Sequence, residues 1–313
     1  MSPRRRFALV YNARAGIALP RRLDGVLAGL SAARCEVFVL PARTAAEATE
    51  RVAEAAESAN CDAVISAGGD GTFRAVASGA AGTQLPVGVI PLGTGNVLAR
   101  ELGLPRRGRD LAELLMRGPV LTAKAGLANG QPFFLMCGAG FDGHIVSGLD
   151  YNAKRAFGRG AYARPVIRAL SKPPHRFDID VDGARFEASW VIVARASHYG
   201  GFKLTNATGV GAENMVAVVI AAETRLQLAT TSLWLARGRL TDETKRPPFV
   251  KVMPARAVEI GCLTIAPAQI DGDDAGETPL SIRSDGPVVR IIAPPAYARR
   301  VADLTNRHAN RVS

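Results

Sequence analysis

Two short glycine-rich stretches carry the residue types that handle phosphate: Gly68-Gly69-Asp70-Gly71-Thr72 and Pro91-Leu92-Gly93-Thr94-Gly95-Asn96. Glycines remove Cβ atoms, admit positive φ and let backbone N–H groups come close to a ligand. Each stretch follows an apolar run, Ala63 to Ala67 and Leu85 to Ile90, and leads into a helical one. A glycine turn between a strand and a helix start is an anion site, because unpaired N–H groups and the helix dipole point the same way. Asp70 puts a carboxylate inside the first turn. Beside phosphates a carboxylate must hold a cation or accept a proton, so Asp70 is a candidate for Mg²⁺ coordination or for catalysis. A second acidic corner lies far along the chain, at Asp271-Gly272-Asp273, followed by Asp274 and Glu277. Taken alone it reads as a β-turn; carboxylates placed together can also hold Mg²⁺ or raise one another's pKa.

The elements around these residues change character along the chain. Phe7 to Tyr11 reads as a buried strand and Glu36 to Leu40 as a second strand, and Arg21 to Ala33 and the run from Thr44 through Glu57 as helices. Thr44 is a natural N-cap. Repeated strand–helix alternation over residues 1–120 predicts an open, mostly parallel α/β domain whose two glycine turns share a crevice at the carboxyl ends of adjacent strands. After about residue 120 the strands alternate without intervening helices: Pro132 to Met136, Arg176 to Asp182, Arg185 to Ala194, Met215 to Ala221, Arg256 to Ile260, Leu263 to Ile270 and Pro287 to Ile292. Asp182-Gly183 is a hairpin signal. Residues 121–292 therefore predict an antiparallel β-sandwich. Helical runs at Tyr151 to Ser171 and Gln227 to Arg237 interrupt the strands; the first mixes basic with apolar residues, which suits an anionic membrane surface or a solvated face.

With 39 Lys and Arg against 28 Asp and Glu, the 313-residue chain carries a net charge of +11. That favours anionic partners. Arg far outnumbers Lys and Ala is abundant, so coding bias accounts for part of the excess equally well. No aromatic-plus-basic stacking motif points to nucleic acid. Cys35, Cys61, Cys137 and Cys262 are too scattered for a metal or disulfide framework and read as free thiols of a reducing compartment. No uninterrupted apolar stretch approaches a membrane span, which is about 18 residues or more. The expected setting is cytoplasmic, with any membrane contact peripheral, on the inner face. Oligomeric state stays open; an exposed sheet edge can support a homodimer.

Taken together, Gly68-Gly69-Asp70-Gly71-Thr72, Pro91-Leu92-Gly93-Thr94-Gly95-Asn96, Gly138-Ala139-Gly140-Phe141-Asp142, Ser197-His198-Tyr199-Gly200-Gly201 and Ile270-Asp271-Gly272-Asp273 resemble the diacylglycerol kinase catalytic-domain family of lipid kinases, with NAD kinases as more distant relatives. The resemblance implies ATP and Mg²⁺, an NAD kinase-like α/β domain to which residues 293–313 return, and a β-sandwich domain. It implies nucleotide contacts at Asn12, Gly16, Thr44, Gly68, Gly69, Asp70, Gly71, Thr72, Gly93, Thr94, Gly95 and Asn96; Arg74, outside the family pattern, adds a cation able to contact a phosphate directly. It gives Asp273 the role of proton acceptor, with Asp271 as competitor, and leaves Asp70 as the metal-binding and third catalytic carboxylate. The chain departs from the family pattern at Val97, at Arg74-Ala75 and near Glu213-Asn214-Met215, where an Asp-Gly-Leu metal segment is absent. The expectation is an ATP-dependent kinase of a membrane lipid of diacylglycerol, sphingoid-base or ceramide type. A soluble-substrate kinase of the NAD kinase type and a non-catalytic nucleotide- or lipid-binding protein are the alternatives.

Overall fold

The structure, a computed structural model, describes residues 2–11, 20–149, 161–261 and 263–312. Asn12, Gly16, Cys262 and the first ten residues of the basic helical run, 151–160, lie outside the described residues. The chain divides into two units, Met1–Lys124 with Pro287–Ser313, and Ala125–Gly286.

The first unit is a six-stranded sheet. In chain order its elements are β1 (Arg6–Tyr11), α1 (Pro20–Ala32), β2 (Glu36–Leu40), α2 (Ala45–Glu57), β3 (Ala63–Gly68), α3 (Asp70–Ala80), β4 (Pro86–Pro91), α4 (Val97–Leu102), α5 (Gly108–Arg117) and β5 (Val120–Lys124). After the second unit come β20 (Val288–Ile292) and α9 (Pro295–Val312). The strand order is β2-β1-β3-β4-β20-β5, parallel except where β5 meets β20. All six residues of β3 are buried, as a central parallel strand covered on both faces requires. Phe7, Leu9, Ala63 and Ile65 form one core with Val26 and Leu30 of α1 and Leu111 and Leu115 of α5. The alternate residues, Ala8, Val10 and Val64, are turned to the opposite face. Thr44 caps α2, accepting from Glu47 N at 3.1 Å. Residues 287–292, expected in the sandwich, instead join the first sheet beside β4, and β5 pairs on them; the division falls at 124/125 and 286/287 rather than at 120 and 292. Helix α9 anchors on α4, where Tyr297 donates to the buried Glu101 carboxylate at 2.7 Å.

The second unit is a sandwich of two six-stranded sheets. Its elements are β6 (Gly126–Ala128), β7 (Gln131–Phe133), β8 (Met136–Gly140), α6 (Phe141–Ser147), α7 (Ala163–Ser171), β9 (Phe177–Val181), β10 (Ala184–Ala188), β11 (Trp190–Ala194), β12 (His198–Tyr199), β13 (Phe202–Lys203), β14 (Met215–Ile220), α8 (Arg225–Ala236), β15 (Val250–Ala255), β16 (Ala257–Ile260), β17 (Pro267–Ile270), β18 (Asp273–Glu277) and β19 (Leu280–Arg283). One sheet runs β10-β9-β16-β19-β6-β7, the other β15-β14-β11-β8-β17-β18. Alternate residues of both face a shared core, with Phe133, Phe177 and Val258 from one and Val191, Val193 and Ile270 from the other. Asp182 and Gly183, both at positive φ, turn β9 into β10 as the sequence indicated. Arg185 to Ala194 is not one strand. It breaks at Ser189, so that β10 lies in one sheet and β11 in the other, and the Ser189 hydroxyl takes up the freed backbone groups at Ile220 and Ala222. The Gly138 to Asp142 motif is the end of β8 and the first turn of α6.

Near Glu213 the structure has a cation of its own. The buried guanidinium of Arg195 donates to the carbonyls of Ala212, Glu213, Ala125 and Ser284. Burial lowers its pKa to about 10.

Candidate functional site

The glycine loops sit at the carboxyl ends of β3 and β4, which are paired in parallel with Gly68 opposite Pro91. They are packed against each other. Leu92 N–H donates to Gly68 O at 2.9 Å, and a Cβ on Gly93 would lie 2.6 Å from the Gly69 Cα. A Cβ on Gly68 would lie 2.3 Å from the Thr72 hydroxyl oxygen. Close approach, not left-handed backbone, is therefore what these glycines supply: Gly69 has φ −92°, and the positive φ in the second loop belongs to Asn96 at 47°. The Asn96 amide closes its loop by accepting from Gly93 N–H at 3.0 Å and donating to Gly93 O.

Asp70 fastens one loop to the other. Its Oδ2 accepts from Val97 N–H at 2.9 Å and its Oδ1 from Leu98 N–H at 3.0 Å, so it caps α4 from the first turn of α3. A carboxylate at a helix N-terminus is favourably placed for this. The Asp70 contacts to Val97 and Leu98 set the geometry of the two loops. Val97, noted as a departure, is a backbone partner of Asp70. The N-terminus of α3 carries no side-chain cap of its own, which leaves its first turn with the N–H groups and dipole suited to an anion. Beside it lies a cavity lined by Val10, Tyr11, Arg43, Thr44, Gly71 and Thr72 among others. Thr44 thus caps α2 and lines this cavity. Thr94 is exposed, Gly95 half-buried, and Arg74 half-buried on α3. Arg43 was not among the expected residues; its position beside the Thr44 cap was the available signal.

In the second unit the acidic corner is a two-residue hairpin between β17 and β18, with Asp271 at φ 51° and Gly272 at φ 85°. Both central residues of such a turn need positive φ, which Asp-Gly provides at low cost. Asp271 is only 8% exposed, and its carboxylate accepts three backbone N–H groups: Phe134 at 3.0 Å, Leu135 at 2.8 Å and Met136 at 3.0 Å. It is thereby a structural acceptor for the break between β7 and β8, which is why Pro132 to Met136 is not one strand. Asp273, half-buried at the start of β18, is the turn carboxylate better placed to meet a ligand.

Beneath this turn lies a buried network that includes a residue absent from the expected site. Gln269, 1% exposed, receives the Gly272 N–H on its Oε1 at 2.9 Å and donates through Nε2 to Asp142 Oδ2 at 3.1 Å. Asp142, fully buried, also accepts from Gly143 N–H at 2.9 Å and from the Tyr199 hydroxyl. Burial pushes its carboxyl up to about 7. The signal for Gln269 was an amide inside the apolar run Ala266 to Ile270.

Comparison with known proteins agrees with this architecture. Residues 6–128 match the diacylglycerol kinase catalytic domain, and residues 136–293 match the YegS C-terminal NAD kinase beta sandwich-like domain. A Bacillus subtilis diacylglycerol kinase is 31% identical over 206 residues, covering 64% of this chain and 68% of that protein. A Staphylococcus aureus diacylglycerol kinase is 26% identical over 307 residues, 93% of each chain. An uncharacterised Synechocystis protein is 26% identical over 261 residues, and there the match spans 80% of this chain but 60% of the relative. The crystal structure of a diacylglycerol kinase from Bacillus anthracis superposes with TM-score 0.71 at 22% identity, covering 94% of this chain and 98% of that one, and shows the shared fold.

Proposed function

The chain belongs to the diacylglycerol kinase catalytic-domain family, and from that premise we propose that it is an ATP-dependent lipid kinase. It moves the γ-phosphoryl group of ATP to the hydroxyl of a membrane lipid of the diacylglycerol, sphingoid-base or ceramide type. The observation that carries the reading is the pair of glycine-rich loops held in contact by Asp70 at the ends of adjacent parallel strands. Backbone N–H groups at the start of α3 hold the phosphates, and Arg43 and Thr44 line the cavity beside them. Mg²⁺ enters as part of the MgATP substrate and offsets phosphate charge. Asp273 takes the proton as the lipid oxygen bonds to phosphorus and the bond to ADP breaks. Catalysis is then mostly positioning and electrostatics, as in phosphoryl transfer generally.

The lipid is met at a membrane that the second unit touches peripherally, on the inner face. In support, Ile167 of α7, Leu226 and Leu233 of α8, and Leu263 and Ile265 are 50–72% exposed. Arg164, Arg168, Lys172, Arg176 and Arg225 are exposed on the same two helices or just beyond α7. Neither helix contains an acidic residue. Apolar side chains within a basic rim suit an anionic bilayer surface. No helix among the described residues is long and apolar enough to cross a membrane.

The test is transfer of label from γ-labelled ATP across a panel of diacylglycerol, sphingoid base, ceramide and NAD, with product identification. Label in one lipid product supports the reading. Label in NAD alone, or nucleotide binding without turnover on any lipid, overturns it.

A further inference from the structure

A backbone N–H can only donate, so the side-chain oxygen of Gln269 must face Gly272 and its NH₂ must face Asp142. The amide therefore has a fixed sense. It reads an acceptor on one side and supplies an acceptor on the other. Asp271, at the other side of the same turn, is held by three N–H groups of residues 134–136. The hairpin is thus gripped at two consecutive residues, and Asp273 is the next one along.

We propose that Gln269 is a positioning residue for the Asp271-Gly272-Asp273 turn, and that the buried carboxylate of Asp142 fixes the direction in which the Gln269 amide works. The role deepens the kinase reading, because it rests on Asp273 as the proton acceptor. When Asp142 is ionised it accepts from Gln269, which keeps the amide oxygen on Gly272. When Asp142 is protonated, its O–H competes as a donor at that contact. The amide oxygen is then drawn toward Asp142, and the Gly272 N–H faces an NH₂ instead of an acceptor.

The surroundings leave this carboxyl to titrate by itself. Tyr199, from β12, donates to it, and burial with the charge of Asp142 keeps its phenol well above the ordinary range. Cys137, from β8, is likewise held as a thiol by burial and by Asp142 and Asp271. No charge on α7, β17 or β18 contributes to the shift of Asp142, whose cause is burial opposed by the neutral donors Gln269, Gly143 and Tyr199. Its carboxyl lies near neutrality, so the grip on the turn tightens as the pH rises through about 7.

The experiment uses the full chain with amide hydrogen exchange at Gly272 and steady-state kinetics from pH 5.5 to 8.5. Gln269→Met keeps the volume and removes both bonds. The expected result is at least tenfold faster exchange at Gly272, a tenfold or larger fall in kcat with KM for ATP unchanged, and loss of the kcat inflection near pH 7. Asp142→Asn offers an NH₂ where an acceptor is needed and should do the same. The double variant D142N/Q269E restores the polarity. The amide introduced at position 142 then donates to the carboxylate introduced at position 269, whose other oxygen accepts from Gly272; protection and most of kcat should recover. Unchanged exchange and kcat in Gln269→Met, or no rescue by the double variant while it remains folded, overturns the proposal. If wild type phosphorylates no lipid, the kinase reading fails, and exchange at Gly272 alone decides this one.

Discussion

The paired glycine loops of the first unit and the Asp271-Gly272 hairpin of the second solve one problem in two ways. Each holds a short backbone segment in place, and each anchors it with a carboxylate on backbone N–H groups. Asp70 takes two such groups at the start of α4, and Asp271 takes three between β7 and β8. The backbone differs. The loops place Gly69 and Gly93 in contact with no left-handed glycine between them, whereas the hairpin turns through two left-handed residues. In both places the most conspicuous acid of the motif is the one that holds the scaffold. On the proposed kinase reading the chemistry falls to its neighbours: the N–H groups at the start of α3 in the first unit and Asp273 in the second.

Substitutions can break that parallel. Asp273→Asn should lower kcat about 10²–10⁴-fold, the usual range for a lost general base, with the unfolding midpoint unchanged. A matching fall in stability would make Asp273 another scaffold residue. Asp271→Ala should do the reverse and cost about 3–5 kcal/mol in urea unfolding, because three buried N–H groups lose their acceptor. Wild-type stability in that variant would remove the anchor from the comparison. Gly93→Ala should spread the loops and reduce kcat/KM for ATP about 10²-fold, the scale of an ångström-level misplacement; ATP titration of the folded variant measures it. The smallest effect is one of pH. The Asp142 carboxyl is raised to about 7 in the folded chain from 3.8, so between those values the native state binds more protons than the unfolded one. Stability falls as pH rises, by about 2 kcal/mol between pH 5 and 7. Thermal melts of wild type against Asp142→Asn isolate that component, which should be absent from the variant.

Much of the fold was legible because its signals are local. The buried run Ala63–Gly68, the Thr44 cap and the Asp182-Gly183 turn each declare themselves within a few residues. The division of the chain was legible only approximately, since β20 reads like any sandwich strand and its partner β4 lies some 200 residues earlier in sequence. The motifs of the site were legible, but the hydrogen-bond partners of their side chains were not. Nothing near Asp70 reveals that Val97 and Leu98 will present N–H groups to it, and nothing near Asp271 reveals the N–H groups of residues 134–136. Gln269 was hidden for the same reason: its two partners lie at Gly272 and Asp142, the latter 127 positions away.

Arg195 carries a consequence for engineering. A single side chain grasps Ala125 and Ser284, which open and nearly close the inserted unit. The two ends of that insert are therefore neighbours, joined without help from the host sheet. A polypeptide cut to begin at Ala125 and stop at Gly286 should behave as a portable cassette, with its severed ends already clipped together; Arg195→Met should leave them to fray.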